Sequence, residues 1–517
     1  MFKSYPIILV ILIIWGTCAN ALNILGAFTH HGKSHFDVFE PIMLKLAERG
    51  HKVTILSHFD NPSEPKNLQY LKFSTNSTPA IESIPVTDAE DYFGPGRLMT
   101  LLHESCGDDF KSETVIDLIK SEAHFGLVIV EAFISDCFIS LGHRFGAPVI
   151  QISSSVLIPM FNDRLGQPNN PSYINNFLNV PKYNMNFWHR LQNTLMTVSV
   201  PPVFEYLMTA PQKQYIKDVF GSDAPCYNSM VNNISLMLIN THFTLNGAVP
   251  NVPQVIEVGG IHIGKIKKLP NNIEKWINES KDGVIYFSMG SMIKGHTFPE
   301  EKRKIFLKAF GRLKQRVLWK WENETMPDKP DNVMIQKWMP QYDILCHPNV
   351  KAFIAHGGLL GTTEAVHCGV PVVVMPQFGD QHTNARALEA GGGGVVLNFR
   401  EADEEMVYNA LKTVLDPEFN KKAKELSARF RDRPMSPMDT AIYWIEYVAR
   451  HKGAHHMRTA AVGMPLYQYL LLDVFGFLAV CTLSILFIGI YVTKLFFRLV
   501  MSMFSKSDKK QKKLKKN

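Results

Sequence analysis

The sequence predicts an α/β protein with two Rossmann-like domains and one membrane-spanning helix near its end. Three observations indicate this. First, short apolar, strand-like runs alternate with helical patterns in two successive series. Second, a stretch containing several Pro and Gly residues separates the two series. Third, an uncharged apolar stretch follows the second series. A chain of 517 residues has room for two domains of ordinary size and for segments outside their cores.

The two ends of the chain carry targeting and membrane patterns. Residues 1–21 combine an early Lys3, an apolar run and a small-residue ending, which is typical of a signal peptide. Residues 474–493 carry no charge, and at 1.5 Å per residue they span about 30 Å, the thickness of a bilayer's hydrocarbon core. We therefore expect a single-pass type I protein with its domains in the lumen of the endoplasmic reticulum and residues 494–517 as a basic cytoplasmic tail.

The tail carries most of the chain's basic excess. The net charge is +7, and the tail is rich in Lys while holding a single acidic residue, Asp508. The remainder is close to neutral, which argues against a nucleic-acid partner. Lys513 and Lys515 form a K-x-K-x-x ending that resembles a dilysine retrieval signal, although a Lys-rich tail that only stops translocation can match it by chance.

The predicted luminal part of the chain contains glycosylation sequons and five cysteines. Four N-x-S/T sequons are candidate glycosylation sites: Asn76, Asn233, Asn278 and Asn323. The luminal cysteines are odd in number and include no C-x-x-C pair: Cys106, Cys137, Cys226, Cys346 and Cys368. This spacing indicates neither a disulfide framework nor a zinc site, although a single disulfide is compatible with it.

The first domain, predicted at 22–245, opens with a βαβ pattern. A strand at 23–29 is followed by the loop HHGKSHF, a helix at about 37–49 that ends at Gly50, and a strand at 52–57. His35 stands at the end of the loop, where an imidazole with a pKa near 6.5 can act as a general base. From position alone it can equally cap the helix, and His30 or His31 can take the same role.

The predicted linker, 246–272, contains a near match to a phosphate-binding loop. The letters GGIHIGK fit G-x-x-x-x-G-K, but Ile266 follows where Ser or Thr would have to bind magnesium. We therefore reject a P-loop. The second domain is predicted at 273–465 and opens with the strand-like run 283–291, which ends in a turn at Ser291.

The most informative segment of the second domain is 338–381. Two strand-like runs, 351–355 and 370–375, flank the Gly-rich turn His356-Gly357-Gly358 and a short helical piece. A βαβ unit places this turn at the carboxyl end of a parallel strand, where doubly wound sheets bind ligands. Free backbone N–H groups and the positive end of the helix suit a diphosphate.

The same segment carries an ordered motif: W-x-x-Q, then H-x-G, then Glu eight residues after the His, then D-Q. The matching residues are Trp338, Gln341, His356, Gly358, Glu364, Asp380 and Gln381. This pattern resembles the donor-binding signature of the membrane-bound, invertebrate-like UDP-glycosyltransferases of the UDP-glucuronosyltransferase and UDP-glucosyltransferase type. The resemblance implies the GT-B architecture, in which an acceptor-binding and a UDP-sugar-binding domain face each other across a cleft.

The resemblance also implies roles for the donor-binding residues. Trp338 would stack on uracil rather than fill a core, Ser291 and His356 would lie along the diphosphate, and Glu364 would bind the ribose. Asp380 and Gln381 would bind the sugar hydroxyls. The chain departs from many relatives at 360–362, where Leu-Gly-Thr replaces Asn-Ser-Thr, so that a phosphate contact there would fall to Thr362 or to the backbone.

The family's general base matches His35 in a G-x-S-H-[WF] setting. An acidic partner is expected after the strand near residue 130, where it would orient the imidazole. Two carboxylates compete for this role. Asp136 fits an invertebrate-like S/T-D-C ending and is our first choice, with Glu131 as the alternative.

The expected reaction is transfer of glucose or glucuronic acid from a UDP-sugar co-substrate to a hydroxyl of a small lipophilic acceptor, with inversion, as in detoxification. The chain contains no D-x-D, so we expect no metal and no bound cofactor. The competing hypothesis is a non-catalytic, membrane-tethered homologue that binds UDP-sugar or a lipophilic ligand, but such a protein would be expected to have lost His35 or Glu364. The sequence leaves open whether the chain forms homo- or hetero-oligomers.

Overall fold

A computed structural model of the chain describes residues 21–61, 65–74, 85–88, 106–133, 135–175 and 185–514, with side chains up to residue 506. The predicted signal peptide, except its last residue, lies outside this range. So do Asn76 and Lys515, and the side chain of Lys513 is not described.

The first half of the chain forms a seven-stranded parallel sheet. Its order, β3-β2-β1-β4-β5-β6-β7, reverses direction beside β1, which is the doubly wound arrangement. The strands are β1 Asn23–Phe28, β2 Lys52–Ser57, β3 Leu68–Lys72, β4 Leu127–Glu131, β5 Val149–Ser153, β6 Leu236–Ile239 and β7 Val255–Glu257. Most are continuous apolar runs because helices cover both faces of a parallel sheet. The last strand, β7, lies inside the predicted linker, which therefore contributes an edge strand to this sheet.

The second half forms a six-stranded sheet in the order β10-β9-β8-β11-β12-β13, and all its neighbouring strands are parallel. The strands are β8 Val284–Ser288, β9 Arg316–Lys320, β10 Val333–Gln336, β11 Val350–Ala355, β12 Val372–Val374 and β13 Gly394–Val396. The two sheets thus reproduce the predicted pair of Rossmann-like folds, with their switch points between β1 and β4 and between β8 and β11.

Helices connect the strands of the first sheet. They are α1 Lys33–Glu48, α2 Glu113–Lys120, α3 Ser140–Phe145, α4 Asn162–Leu165, α5 Phe187–Phe204, α6 Ala210–Phe220, α7 Tyr227–Val231 and α8 Phe243–Asn246. A π-helical turn, Glu205–Thr209, joins α5 to α6, and short 3-10 turns lie at Cys137–Ile139, Pro159–Phe161 and Gly221–Asp223. The first helix begins four residues earlier than predicted, so that His35 lies in its first turn.

The second sheet is covered by helices α9 Asn271–Asn278, α10 Glu300–Gly311, α11 Gln341–Leu345, α12 Leu359–Cys368, α13 Gln381–Ala390, α14 Glu404–Val414, α15 Pro417–Arg431 and α16 Pro437–Arg450. Short 3-10 turns lie at Gly295–Thr297 and His455–Met457.

The helix α16 packs on the first sheet. Its apolar side chains at helical spacing, including Ile445 and Val448, join a core cluster that also contains Ile24 of β1 and Phe39 of α1. At the edge of this contact Arg49 donates to both carboxylate oxygens of Glu446, at 2.6 and 3.0 Å. The end of the second half is therefore held by the first, mainly through apolar burial.

Residues 460–517 form a separate compact unit. It contains α17 Leu466–Tyr469 and the long helix α18 Leu472–Leu514. Residues Leu472–Lys506 of α18 are long and apolar enough to cross a membrane. They include the whole predicted span, 474–493.

Two disulfides are present where the sequence indicated no framework. Cys106 is bonded to Cys137, and Cys346 is bonded to Cys368. Cys226 is free and exposed. Sequence spacing could not pair them because each bond depends on how helices and loops pack.

Candidate functional site

A cavity of about 2240 Å³ opens between the carboxyl ends of the two sheets. One wall comes from the loops after β1, β4, β5 and β6, and the other from the loops after β8, β10, β11 and β12. Single ligand pockets are about 300–1,000 Å³. The cleft therefore has room for two substrates at once.

On the first wall, His35 pairs with a carboxylate at the end of β4. Its Nδ1 lies 2.7 Å from Oε1 of Glu131, and the two side chains are 17% and 3% exposed. The other oxygen, Oε2, accepts a hydrogen bond from the backbone N–H of His30 at 3.2 Å. The carboxylate in contact with His35 is thus Glu131, the alternative, and our first choice of Asp136 for this contact is wrong.

Asp136 instead belongs to a buried ion pair. Both its oxygens accept hydrogen bonds from Arg164, each at 2.7 Å, and Tyr227 donates to it at 2.6 Å. Burial would raise the pKa of Asp136, but the charge and hydrogen bonds of Arg164 hold it below its usual range. A carboxylate committed to a bidentate guanidinium has a structural role.

Three further side chains surround the His35 imidazole. Ser154, just after β5, has its Oγ 3.0 Å from Nδ1 of His35. The ring of His30 stacks on that of His35 with centroids 3.8 Å apart, and Phe133 meets both rings edge-on. Sequence reasoning missed Ser154 and Phe133. The available signal was their position directly after strands of the same sheet, where loops converge.

Burial affects both members of the pair. It lowers the pKa of His35 to about 3 and raises that of Glu131 to about 7, because each loses the solvation of its charged form. At neutral pH the imidazole is therefore neutral. With a carboxylate beside Nδ1, the proton of the neutral ring belongs on Nδ1, which leaves the lone pair of Nε2 free.

On the second wall, Trp338 lies just after β10 and is 70% exposed. The indole lines the cleft and is not a core residue, which leaves its face free to stack on a base. Three residues later, Gln341 begins α11 and donates from Nε2 to Oε2 of Glu364 on α12, at 2.7 Å. The two motif residues thus form a bonded pair at the cleft surface.

The side chain of Glu364 is only 14% exposed, and burial raises its pKa to about 7. Nε2 of His262 lies 3.8 Å from its Oε1. His262 also lines the cleft. This histidine comes from the rejected GGIHIGK stretch, so the stretch reaches the donor wall through its imidazole rather than through a phosphate loop.

The turn after β11 is built closely around His356. A Cβ at Gly290 or at Gly358 would lie 2.5 Å from the imidazole, so both positions require glycine. Gly290 also has φ of 87°, in the region that favours glycine. Burial, together with the nearby charge of Lys320, lowers the pKa of His356 to about 4, and its Nδ1 has no partner among the described residues.

The remaining predicted donor residues differ in how they meet the cleft. Ser291 is exposed and lines the cleft. Asp380 also lines the cleft, and its carboxylate accepts a hydrogen bond from Asn384 at 2.8 Å. Gln381 also lines the cleft, although its Oε1 accepts from the backbone N–H of Gln377 at 2.9 Å. Thr362 is buried and is not among the residues that line the cleft, so the wall there is formed by the turn and by Gly361.

One group of described residues outside the cleft has metal-ligand chemistry, although the sequence indicated none. The donor atoms of His31, His58 and Asp109 lie within 4.8 Å of one another. Within this group Nε2 of His58 is 2.8 Å from Oδ2 of Asp109, and the two imidazoles stack at 3.7 Å. The direct contact with His58 gives the buried carboxylate of Asp109 a hydrogen-bond partner, which explains how this carboxylate is tolerated in the interior without a metal ion.

The two walls together define an enzyme class. A neutral histidine that contacts Glu131 faces a wall with an exposed indole, a Gly-rich turn and the hydrogen-bonded Gln341–Glu364 pair, and the cavity between them has room for two ligands. This is the arrangement of a sugar-nucleotide-dependent glycosyltransferase.

The chain belongs to the family described as UDP-glucoronosyl and UDP-glucosyl transferase, whose model matches residues 9–510. It is 43% identical to UDP-glycosyltransferase UGT5 of Dactylopius coccus, covering 96% of this chain and 97% of that one. It is 39% identical to UDP-glucosyltransferase 2 of the same species, with the same coverage. It is 32% identical to UDP-glucuronosyltransferase 2B14 of Oryctolagus cuniculus, covering 87% of this chain and 88% of that one. The chain is therefore a glycosyltransferase.

A solved structure has the same fold. The glycotransferase of kitacinnamycin aligns with a TM-score of 0.53 over 84% of this chain and all of that one, at 17% identity. The GT-B architecture expected from the sequence is confirmed.

Proposed function

We propose that the chain transfers a hexosyl group from a UDP-sugar to a hydroxyl of a small lipophilic acceptor, with inversion at the anomeric carbon. The observation that carries this is the single cleft that joins the His35–Glu131 pair to the Trp338, Gln341, Glu364 and His356 wall. An acceptor held at His35 and a nucleotide held on the opposite wall would meet inside one cavity. This proximity is a main source of rate acceleration in two-substrate reactions.

In the proposed step, the acceptor oxygen forms a bond to the anomeric carbon while the bond from that carbon to the UDP oxygen breaks. UDP leaves with the bonding electrons, and the acceptor proton passes to Nε2 of His35. Glu131 would stabilise the imidazolium that results, through the Nδ1 hydrogen bond. Attack opposite the leaving group gives a β-glycoside from an α-linked donor.

We propose that the leaving diphosphate is stabilised without a metal. The backbone N–H groups of the turn after β11, the amino end of α12 and the side chain of His356 would face the developing charge. The sequence supports this because it has no D-x-D. Trp338 would stack on uracil, Glu364 would accept from the ribose hydroxyls, and Asp380 and Gln381 would bind the sugar.

For the sugar we favour glucose over glucuronic acid. Two of the relatives above come from the same insect, and one of them is named as a glucosyltransferase. The carboxylate of Asp380, on the wall that would hold the sugar, would also repel the carboxylate of a glucuronate. For the acceptor, the cleft is lined by apolar side chains of α5, including Val200 and Phe204, which supports a lipophilic molecule. Conjugation of such molecules is the chemistry of detoxification.

We propose that both domains lie in the lumen of the endoplasmic reticulum and that Leu472–Lys506 spans its membrane. The two disulfides support an oxidising compartment. Asn233, Asn278 and Asn323 are all exposed, as glycosylation would require. Endoglycosidase H should shift the full-length protein in a gel, and loss of Lys513 and Lys515 should let it leave the endoplasmic reticulum.

The testing experiment uses microsomes that contain the full-length chain, 1-naphthol, and either UDP-glucose or UDP-glucuronate. We expect a naphthyl β-glucoside from wild type and a rate about 10²–10⁴-fold lower from His35→Ala. Proton NMR of the product gives the anomeric configuration. Wild type that binds UDP but yields no product over a broad acceptor panel would instead support the non-catalytic homologue.

A further inference from the structure

The donor wall contains a covalent bond that the reaction does not use. Cys346 directly follows the last residue of α11, and Cys368 is the last residue of α12, so the disulfide joins the carboxyl ends of these two helices. The bonded residues are 22 apart in sequence, and their Cα atoms are 4.8 Å apart. The segment enclosed by this bond contains β11, the turn at His356 and most of α12.

The same two helices carry the hydrogen-bonded donor pair. Gln341 is the first residue of α11, Glu364 lies within α12, and 2.7 Å separates Nε2 of the first from Oε2 of the second. Both side chains line the cleft. The geometry of this pair therefore depends on how α11 is held against α12.

The helix α11 needs such a tie because it has only five residues, far fewer than a helix requires to be stable alone. Ile344 and Leu345 bury its inner face, and the backbone N–H of Lys267 donates to Asp343 at 2.6 Å. These contacts fix its position, but of the contacts described, only the disulfide bonds it covalently to α12.

The packing between the two helices is also close. A Cβ at Gly361 would lie 3.0 Å from Nε2 of Gln341, so that the glutamine would have to shift by a few tenths of an ångström. Gly361 is one of the two positions in the stretch 360–362 at which the chain departs from many relatives. A glycine there lets Gln341 reach across α12 to Glu364, and a small movement of α11 would break that contact.

We propose that the Cys346–Cys368 disulfide positions the Gln341–Glu364 pair for the donor nucleotide, so that its reduction weakens UDP binding while leaving the acceptor site intact. Reduction would take two electrons and two protons from the reductant and give two thiols, which frees the end of α11. This inference rests on the proposed function, in which Gln341 and Glu364 bind the nucleotide. The two cysteines are positioning residues and do not touch the reacting atoms.

The chain offers a matched control, because Cys106–Cys137 is a second disulfide that belongs to the first domain. The experiment compares the full-length wild type with two double variants, Cys346→Ser/Cys368→Ser and Cys106→Ser/Cys137→Ser. The quantities measured are the Kd for UDP by calorimetry and the KM values for UDP-glucose and for 1-naphthol. The Tm of each protein shows whether it is folded.

We expect the first variant to raise the Kd for UDP and the KM for UDP-glucose on the order of tenfold or more, because small misplacements of binding groups have effects of this size. The KM for 1-naphthol should stay within about twofold, and the control variant should bind UDP as wild type does. A Kd for UDP equal to that of wild type in the first variant would overturn the inference.

A second measurement covers the case in which the first variant does not fold. The Cys106→Ser/Cys137→Ser protein keeps just one of the two described disulfides, Cys346–Cys368. Dithiothreitol added to this protein therefore reduces that bond, and the Kd for UDP should rise as in the first variant. Unchanged binding after the bond is shown by mass spectrometry to be reduced would overturn the inference. Wild type that binds no UDP at all would contradict the proposed function instead.

Discussion

The two sheets have the same strand order at their switch points, yet they gather their functional residues in different ways. On the donor wall, nearly every motif residue comes from the continuous segment 338–381. On the acceptor wall, His35 meets Glu131 and Ser154, which lie 96 and 119 residues away in sequence. A site encoded in one segment can be recognised as a motif, whereas a site assembled from distant strand ends requires the fold.

The physical basis of both sites is nevertheless the same. His35 follows β1, Glu131 is the last residue of β4, and Ser291 and His356 follow β8 and β11, so each set stands at the switch point of its own sheet. The connections that follow the two neighbouring strands run to opposite faces of the sheet there and leave a crevice at the carboxyl ends of the strands. Two such crevices face one cavity, which divides the proposed chemistry into a proton-accepting wall and a nucleotide-binding wall.

The largest expected effect separates these walls. His35→Ala should lower kcat by about 10²–10⁴-fold because it removes the general base. The Kd for UDP should not change, since His35 lies on the opposite wall. The measurement is steady-state kinetics with UDP-glucose alongside UDP calorimetry. A fall in UDP affinity that parallels the fall in kcat would contradict the division.

The next effect tests the different roles of the two acidic residues near the end of β4, Asp136 and Glu131. Asp136→Asn leaves the buried Arg164 without its charged partner, and breaking such a pair costs about 3–5 kcal/mol of unfolding free energy. Because the pKa of Asp136 is lowered in the folded state, its stabilisation is present above the usual carboxyl pKa and is lost as the pH falls below it.

Denaturant unfolding of Asp136→Asn and of Glu131→Gln measures this difference. We expect the first to be strongly destabilised with kcat retained in the folded fraction, and the second to lose kcat. Equal stability of Asp136→Asn and wild type would show that the ion pair is not structural.

A smaller effect concerns the donor wall alone. Trp338→Ala should weaken UDP binding by about 1–3 kcal/mol, the value of stacking one base on an aromatic ring. Trp338→Phe keeps a ring and should recover part of the affinity, which makes it the matched control. Calorimetry gives both Kd values. If the alanine variant bound UDP as tightly as wild type, uracil would have to lie elsewhere.

The smallest effect lies at the contact between α16 and the first sheet. The side chain of Arg49 is 47% exposed and a glutamine at 446 keeps a hydrogen-bond acceptor, so Glu446→Gln should cost only about 0.2–1 kcal/mol. Ile445→Ala, one residue away and fully buried, should cost about 2–5 kcal/mol. Thermal unfolding of the two variants compares how much the ion pair and the buried apolar side chain each stabilise this contact. A larger loss of stability in Glu446→Gln than in Ile445→Ala would show that the ion pair, and not apolar burial, holds α16 on the first sheet.

Much of the fold was predictable because buried parallel strands are continuous apolar runs and helices keep a 3.6-residue period. The residues of the donor wall could be predicted to lie together because their motif is continuous in sequence; Trp338 is exposed in the cleft, and its stacking on a base stays a prediction. The partner of His35 was not predictable, since Glu131 ends β4 and Asp136 closely follows it, and the direction of Asp136 depends on Arg164, 28 residues further along the chain. For the same reason sequence spacing revealed neither the disulfides nor the approach of His262 to Glu364.

The most direct test of the central claim is the pH dependence of kcat/KM for 1-naphthol, measured at saturating UDP-glucose so that donor binding through Glu364 does not contribute, for wild type and Glu131→Gln. Burial raises the pKa of Glu131 to about 7, and the proposed mechanism needs its carboxylate. For wild type, kcat/KM should therefore be full above pH 7 and fall as the pH drops through this value. Glu131→Gln should have a low rate without this acid limb, while binding UDP normally. An acid limb near pH 7 that persists in Glu131→Gln but disappears in Asp136→Asn would contradict the account.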